Sequence, residues 1–425
     1  MLDFKSIRKW SSFLAVIFVL INQTHSVFHQ FTCEKKEDSS VPSIPDTYST
    51  NIRINYPNEH RTVEVREVRN RKENKAAFEF WAEKLHLKYI QNGDQMLLIN
   101  LTSDGRPACK VRSKSNNAWL DTEVAGPRKI FQNILNVLFD KSSYYVADIT
   151  LENGIFLAKF EACLSNPKLN ISLGFTDPAW TPSHSSAMIK DTSYLAIVEA
   201  EMDYVQMAAL YSNFNPVMPD DSEFQPPEDV YCEGLKSDRK VPDFPKYFSF
   251  DAEIIKYEGS LGIAPVITHR SVYYDYPAGI SRTDFYDPVA EDEDIFSPVR
   301  AEVKSIVHDF NSGVQYTFNP ITGKCSLGKF KDNFAVISGK IGTDKSMPTV
   351  NKYFALEGAK VVYNGQYSIR GLVSDVFTSS IAVEGKNGKN VQSTVSWYFS
   401  TNRTQVVENQ NVEKNVLLRM VIQPQ

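Results

Sequence analysis

Ser271-Val272-Tyr273-Tyr274-Asp275-Tyr276 runs through a Pro-Ala-Gly break into Arg282-Thr283-Asp284-Phe285-Tyr286, and the reading of this stretch decides the fold. A second hairpin follows, turning at Asn311-Ser312-Gly313 and closing on Gly323-Lys324-Cys325. An earlier copy of the same cassette lies about 200 residues upstream. There Arg66-Glu67-Val68-Arg69-Asn70 runs through Lys72-Glu73-Asn74-Lys75 into Ala77-Phe78-Glu79-Phe80-Trp81. Its second hairpin turns at Asn92-Gly93 and ends on Gly105 and Cys109. Asn-Gly is a strong short hairpin signal, because both residues tolerate positive φ. Leu85, Leu87 and Tyr89 alternate before that turn, as a half-buried strand should. After it, Met96 to Ile99 is continuously apolar, which suits a strand covered on both faces.

Working outward, each copy begins with an extended, proline-marked opener: Val41-Pro42-Ser43-Ile44-Pro45 and Val241-Pro242-Asp243-Phe244-Pro245. After the cassette each copy offers one helix. Pro127 opens Arg128 to Phe139, with Ile130, Phe131, Ile134, Leu135 and Leu138 on one stripe at helical spacing. Pro348 opens a shorter match through Leu356, with Ser346 placed as its cap. A single amphipathic helix between runs of antiparallel strands is expected to cover one face of the sheet. Strands then resume: Tyr145 to Phe160 corresponds to Tyr363 to Phe377, Leu169 to Phe175 to Thr394 to Phe399, and Tyr194 to Val198 to Leu417 to Val421. The first copy continues through Ala209 to Phe214 and a proline-rich exit to Cys232. The second ends just past its matching strand, so the chain reads as a fragment of a longer protein, the alternative being a second copy that lacks its closing segment.

The organisation expected is therefore a signal peptide over 1–26, a first copy over 33–234 and a second over 235–425. Lys5, Arg8 and Lys9 form a basic n-region, and Phe13 to Ile21 an apolar core of nine residues. Thr24 and Ser26 supply small residues for a cut after Ser26. The apolar run is far short of the ~20 residues of a bilayer span, so no membrane anchor is expected there. Secretion gives meaning to the sequons at Asn100, Asn170 and Asn402. In an oxidising compartment five cysteines leave one over. Cys33 and Cys232 flank the first copy and could staple it shut, while Cys109 and Cys163 lie inside it as natural partners. Cys325 remains, either as a buried free thiol or as a partner for another chain.

The order of several motifs resembles the metazoan LolA-like domains of large secreted or membrane-tethered proteins. They are the Val-Pro-x-x-Pro opener, Tyr274-Asp275-Tyr276, Gly323-Lys324-Cys325, and Arg370-Gly371-Leu372-Val373-Ser374-Asp375. Val395-Ser396-Trp397-Tyr398-Phe399 and the exit Phe224-Gln225-Pro226-Pro227 with Val230-Tyr231-Cys232 complete the set. The resemblance implies a β-rich α+β fold: two tandem curved antiparallel sheets, or half-barrels, each with a helix covering the concave face. In bacterial carriers of this shape the concavity holds lipid or acyl chains. Ser374, and Leu157 in the first copy, stand where the family has a cysteine, which fits Cys325 having no partner and leaves Cys163 to pair with Cys109.

Composition and motifs exclude much else. A net charge of −5 gives no basic footprint for nucleic acid. The seven histidines are scattered along the chain, and His308-Asp309 reads as surface. Gly259-Ser260-Leu261-Gly262 has its serine one place early for a nucleophile elbow. Glu291-Asp292-Glu293-Asp294 lacks the alternation and glycine of a calcium loop and reads as solvated. Tyr273, Tyr274, Tyr276, Phe285 and Tyr286 read as cross-strand core. No enzyme activity and no cofactor are expected. The expected function is a secreted binding module with lipid or another apolar ligand as partner, lined by Phe78, Phe80, Ile130, Ile134, Leu138 and Phe156. The alternative is a structural or adhesive extracellular protein using its domains as spacers for protein partners.

Overall fold

The computed structural model describes residues 42, 44–101, 107–113, 145–152, 154–165, 168–178, 193–202, 205–256, 266–289, 300–329, 346–384, 390–401, 404–407, 410–413 and 415–424. The chain divides into two compact units, Met1–Gln225 and Pro226–Gln425.

The front unit holds strands β1 (Thr47–Tyr56), β2 (Arg61–Asn70), β3 (Lys75–Ala82), β4 (Leu85–Asn92), β5 (Gln95–Asn100) and β6 (Ala108–Ser113). It continues with β7 (Tyr145–Glu152), β8 (Ile155–Ser165), β9 (Lys168–Thr176), β10 (Leu195–Met202) and β11 (Val205–Asn215). All eleven join one antiparallel sheet in the order β6-β5-β4-β3-β2-β1-β11-β10-β9-β8-β7. It is thus two meanders, sewn together where the first strand of one meets the last strand of the other. The sheet is open: β6 and β7 are its ends, not partners.

The rear unit holds β12 (Tyr247–Lys256), β13 (Val266–Asp275), β14 (Ile280–Val289), β15 (Arg300–Asp309), β16 (Val314–Phe318) and β17 (Cys325–Lys329), which form a six-stranded antiparallel sheet in chain order. After α1 (Val350–Tyr353) come β18 (Val362–Ile369), β19 (Leu372–Glu384), β20 (Asn390–Ser400), the small ribbon β21 (Thr404–Val407) and β22 (Gln410–Glu413), and β23 (Leu417–Pro424). A four-stranded sheet runs β18-β19-β20-β23.

The registers of the two units agree in their irregularities as well as their order. A bulge interrupts β7–β8 between Val146 and Asp148, and one interrupts β18–β19 between Tyr363 and Gly365. A second breaks β9–β10 between Leu195 and Ile197, with its counterpart in β20–β23 between Tyr398 and Phe399. Positive φ falls at matched turns: Asn74 at 55° and Gly279 at 66°, then Gly154 at 79° and Gly371 at 81°. Bulges re-aim side chains and strengthen local twist, so two sheets that share them share their shape.

The covering helices are the point of correction. Arg128 to Phe139 lies outside the described residues. In the rear unit the helix expected through Leu356 is only the four-residue α1. Thr349 caps it, its Oγ1 accepting from the Lys352 backbone at 3.2 Å, but Ala355 at φ 57° turns the chain out at once. One turn fixes too few hydrogen bonds to persist alone and is held by tertiary packing.

Two further expectations are corrected. His308 is not surface but 8% exposed, on the row that runs Phe248–Tyr274–Ser281–His308–Gln315 across the sheet. Of the aromatic group, Tyr274 is buried while Tyr273 and Tyr276 are exposed. Burial lowers the His308 pKa from 6.5 to about 4, with a Gln315 hydrogen bond opposing. The folded protein thus takes up this proton later than the unfolded chain does, so stability falls as pH drops from 6.5 towards 4. The urea midpoint of the wild type should fall relative to that of His308→Gln as pH drops from 7 to 4.5, because the variant has no such proton to take up. Parallel pH profiles for the two would remove His308 as the source.

Candidate functional site

The front sheet buries one continuous apolar face. Side chains alternate across a strand, so every second residue of β1 (Tyr48, Thr50, Ile52, Ile54 and Tyr56) shares that face, and all five are buried. The register carries the face outward in rows. Ile52 lies opposite Val65, Val65 opposite Phe80, and Phe80 opposite Leu87. Beside it runs Thr50, Glu67, Phe78, Tyr89 and Leu98. On the other side of β1, Ala209, Val198, Leu173 and Phe160 continue the surface. Phe160 and Phe175 meet edge-on at 5.7 Å, as do Phe80 and Tyr89 at 5.4 Å.

Of the ligand-lining residues expected from sequence, Phe78 and Phe80 stand together on this face, their ring centroids 6.3 Å apart. Phe156 is at the tip of the β7–β8 hairpin, across from Leu151, and is 60% exposed. Ile130, Ile134 and Leu138 lie outside the described residues.

Set into the apolar face is a charged cluster that the sequence reading missed. Glu67 is 0% exposed. Its Oε1 accepts from the Tyr48 hydroxyl at 2.9 Å and from Nε of Arg69, which also lies over the Phe78 ring at 5.1 Å. Glu67 Oε2 and the Tyr211 hydroxyl are buried with no partner among the described residues, although the Tyr211 ring itself is half-exposed. Burial, then the Glu67 carboxylate, pushes the Tyr48 and Tyr211 hydroxyls well above their usual pKa. Burial, the largest single influence, pulls Arg69 down, but Glu67 together with the Tyr48 and Tyr211 hydroxyls holds the guanidinium above its ordinary value. The cluster is therefore a neutral-sum ion pair with one free acceptor and one free hydroxyl.

The duplicate positions in the rear unit carry none of this. Register places Phe248, Val272 and Tyr274 where the front has Tyr48, Glu67 and Arg69. The rear face is filled by the chain itself. Phe244 stacks on Phe354 at 4.3 Å, Tyr274 meets Tyr353 at 4.9 Å, and the Tyr274 hydroxyl donates to the Pro348 carbonyl. Trp397, fully buried, donates Nε1–H to the Phe354 carbonyl at 2.8 Å. The segment around α1 is thereby tied to both sheets of its unit.

A family model described as the Metazoan 2nd LolA-like domain matches residues 227–425. The rear unit is LolA-like. No curated protein matches the chain. Among solved structures, LprF from Mycobacterium bovis aligns with 10% identity and TM-score 0.26, over 41% of this chain and 89% of that one. The Pseudomonas aeruginosa MucA/MucB complex aligns with 8% identity and TM-score 0.25, over 66% of this chain and 86% of that one. PNGF-II aligns with 8% identity and TM-score 0.23, over 58% and 41%. The LolA-like unit begins with the exit segment: the Tyr398 hydroxyl donates to Asp229 at 2.8 Å, and Asn364 Nδ2 to the Pro227 carbonyl at 3.3 Å.

The cysteines also differ from expectation. One disulfide uses Cys109 and Cys232, which corrects the pairs Cys33–Cys232 and Cys109–Cys163. Cys325 is free and exposed, not buried. Asn100 is exposed at the end of β5; Asn170 is half-buried within β9, with its sequon residue Ser172 at 0% exposure. Asn402 lies outside the described residues. Among the described residues no group of three or more His, Cys, Asp or Glu side chains is placed to hold a metal, and no helix is long and apolar enough to cross a membrane.

Proposed function

We propose that the chain is a secreted, non-enzymatic binding module whose front unit holds an amphipathic lipid against its apolar face. The reading treats the front unit as a second LolA-like fold, because it shares strand order and both bulges with the rear. One observation supports it most: the half-satisfied Glu67–Arg69–Tyr48–Tyr211 cluster on an otherwise apolar face, at positions where the duplicate manages with Val272, Tyr274 and Phe248. Buried charge is costly, and a fold that forms without it has no structural need of it. The free Glu67 oxygen accepts and the free Tyr211 hydroxyl donates, so the head they select is a neutral hydroxyl or amide. The acyl body lies along Ile52, Val65, Phe78 and Phe80. At ~0.8 kcal/mol per buried methylene, a long chain gains roughly 10 kcal/mol gross, enough to offset ordinary association costs.

The test is native mass spectrometry of protein secreted from eukaryotic cells, with extraction of bound lipid. Wild type should carry a neutral hydroxyl- or amide-headed lipid. The triple variant Tyr48→Phe/Glu67→Val/Arg69→Tyr, which gives the front face the rear unit's residues, should stay folded and lose it. A wild-type protein that emerges without ligand and takes up no fatty alcohol or monoacylglycerol in solution would sink the proposal.

A further inference from the structure

The two units treat the same face of their first meander differently. On the side of the front sheet away from Glu67, the register runs Val68–Ala77–Ile90–Leu97–Val111 across β2 to β6. The first four of these are 1%, 3%, 1% and 4% exposed. The unit's own chain lies over this side. Phe224, itself buried, ends a short 3-10 turn, Asp221–Phe224, that rests against β3 and β4. Lys75 donates to Asp221 at 2.9 Å, Arg66 to Glu223 at 2.6 Å, and Asn70 Nδ2 to the Met218 sulfur at 3.5 Å.

The rear duplicate of that row is Tyr273–Arg282–Val307–Tyr316–Leu327, across β13 to β17. Here it meets water. Tyr273 is 49% exposed, Tyr316 37% and Leu327 71%, and Arg282 is exposed with them. The Arg282 guanidinium lies 5.6 Å from the Tyr273 ring and 5.5 Å from that of Phe318, and pairs with Asp284 at 2.8 Å. One step along the strands a second row runs Asp275–Ile280–Asp309–Val314–Lys329, with Ile280 43% exposed. Tyrosines gathered around an arginine are the composition of a protein contact, and an apolar sheet face left open to this extent marks an interaction site.

Charge and register select the occupant. The first row is aromatic and basic, the second acidic and aliphatic, so the face is complementary to itself. A twofold axis lying across the strands, between the rows, sets each strand on its own copy and the first row on the second copy's second row. Arg282 then stands over Ile280 of the second copy. Asp275 and Asp309 flank that position from the neighbouring strands, each ~4.8 Å to the side. Tyr316 stands over Val314. Stacking like row on like row would bring the acidic rows together instead. The area is sufficient: the six strands, at ~4.8 Å spacing and about six residues at ~3.4 Å rise, offer roughly 600 Å² a side, about 1,200 Å² in all, the low end for a specific interface.

We propose that two copies of this chain associate through this face of their rear units, as a twofold dimer of stacked sheets. Arg282 of each copy sits on Ile280 of the other, between its Asp275 and Asp309. The sheets lie ~10 Å apart and within about 30° of alignment, as stacked sheets do. The association is independent of the lipid reading, since it uses the side of the sheet away from Tyr274 and leaves the front unit's apolar face untouched.

The test is sedimentation velocity of the full secreted chain over a range of concentrations, after alkylation of free thiols so that a disulfide through Cys325 cannot supply the dimer. Wild type should pass from monomer to dimer with a Kd in the micromolar range. Arg282→Asp gathers three acids at one point, and Ile280→Lys sets a cation under Arg282. Each variant alone should weaken self-association at least about tenfold. Mixed in equal amounts, the two should restore a dimer. The introduced carboxylate then faces the introduced ammonium, while the other half of the interface keeps its native Arg282 and Ile280. Both positions are exposed, and the thermal midpoint checks that each variant folds; if one does not, Arg282→Glu and Ile280→Arg carry the same exchange. A wild type that stays monomeric would overturn the proposal. So would a variant that dimerises as well as wild type, or an equal mixture that stays monomeric.

Discussion

Arg69→Ala destabilises the protein by about 3–5 kcal/mol, the usual cost of leaving a buried charge without its partner. The Glu67 carboxylate has no route to solvent, and its remaining hydrogen bond from Tyr48 does not neutralise it. The guanidinium also covers the Phe78 ring, so its removal takes packing as well as charge. The triple variant Tyr48→Phe/Glu67→Val/Arg69→Tyr should recover most of that loss, because whole buried ion pairs exchange for apolar groups at little cost. Urea denaturation at pH 7 of the wild type, the single and the triple variant makes the comparison. If Arg69→Ala unfolds at the wild-type midpoint, the pair is solvated and the cluster is not a buried head-group site. If the triple variant is as unstable as the single one, the cluster is structural and the ligand argument loses its footing.

That cluster shows where sequence reading stopped. Arg66-Glu67-Val68-Arg69 looks like a solvated strand, because charged residues at alternate positions normally face water. In the fold Glu67 is buried on one face and Val68 on the other, at 0% and 1% exposure, since β2 is covered on both sides. A signal was nonetheless present. Aligning the two cassettes puts Val272 and Tyr274 against Glu67 and Arg69, and a duplicate that is apolar where its twin is charged marks the twin as special. The hairpins were legible because their determinants are local: Asn92-Gly93 turns β4 into β5, and the unbroken Met96 to Ile99 run is buried at Met96, Leu97 and Ile99. The rear covering helix was misread because Pro348 and a plausible cap mark where a helix starts, not how long it runs. Its length is set by Ala355, which adopts a left-handed φ to place Phe354 under Trp397, a requirement of packing that no local propensity encodes. The disulfide was misread because proximity in sequence suggested Cys163 for Cys109, while the partner is Cys232, far along the chain.

Trp397 is the residue on which the rear unit's closure depends most, and its truncation gives the second large effect. The side chain is fully buried among Phe377, Val395 and Phe399. Trp397→Ala should cost about 3–5 kcal/mol, from lost transfer energy and the cavity that remains. Trp397→Phe keeps an aromatic ring in place but removes the Nε1–H bond to the Phe354 carbonyl and part of the buried volume, so it should cost about 1–3 kcal/mol, mostly from one buried acceptor left unpaired. The two variants also differ in what they loosen. Losing the bond frees the segment at 347–356 from the four-stranded sheet, so exchange there should quicken in Trp397→Phe while β19 and β20 stay protected. Losing the ring should quicken exchange in β19 and β20 too. Equal stability of the wild type and Trp397→Phe, with 347–356 still protected, would mean that aromatic packing of Phe354 against Phe244 and Phe248 holds the segment by itself. The rear face would then be filled by ring stacking alone, and its lack of the front unit's charged cluster would reflect a face that needs no polar anchor.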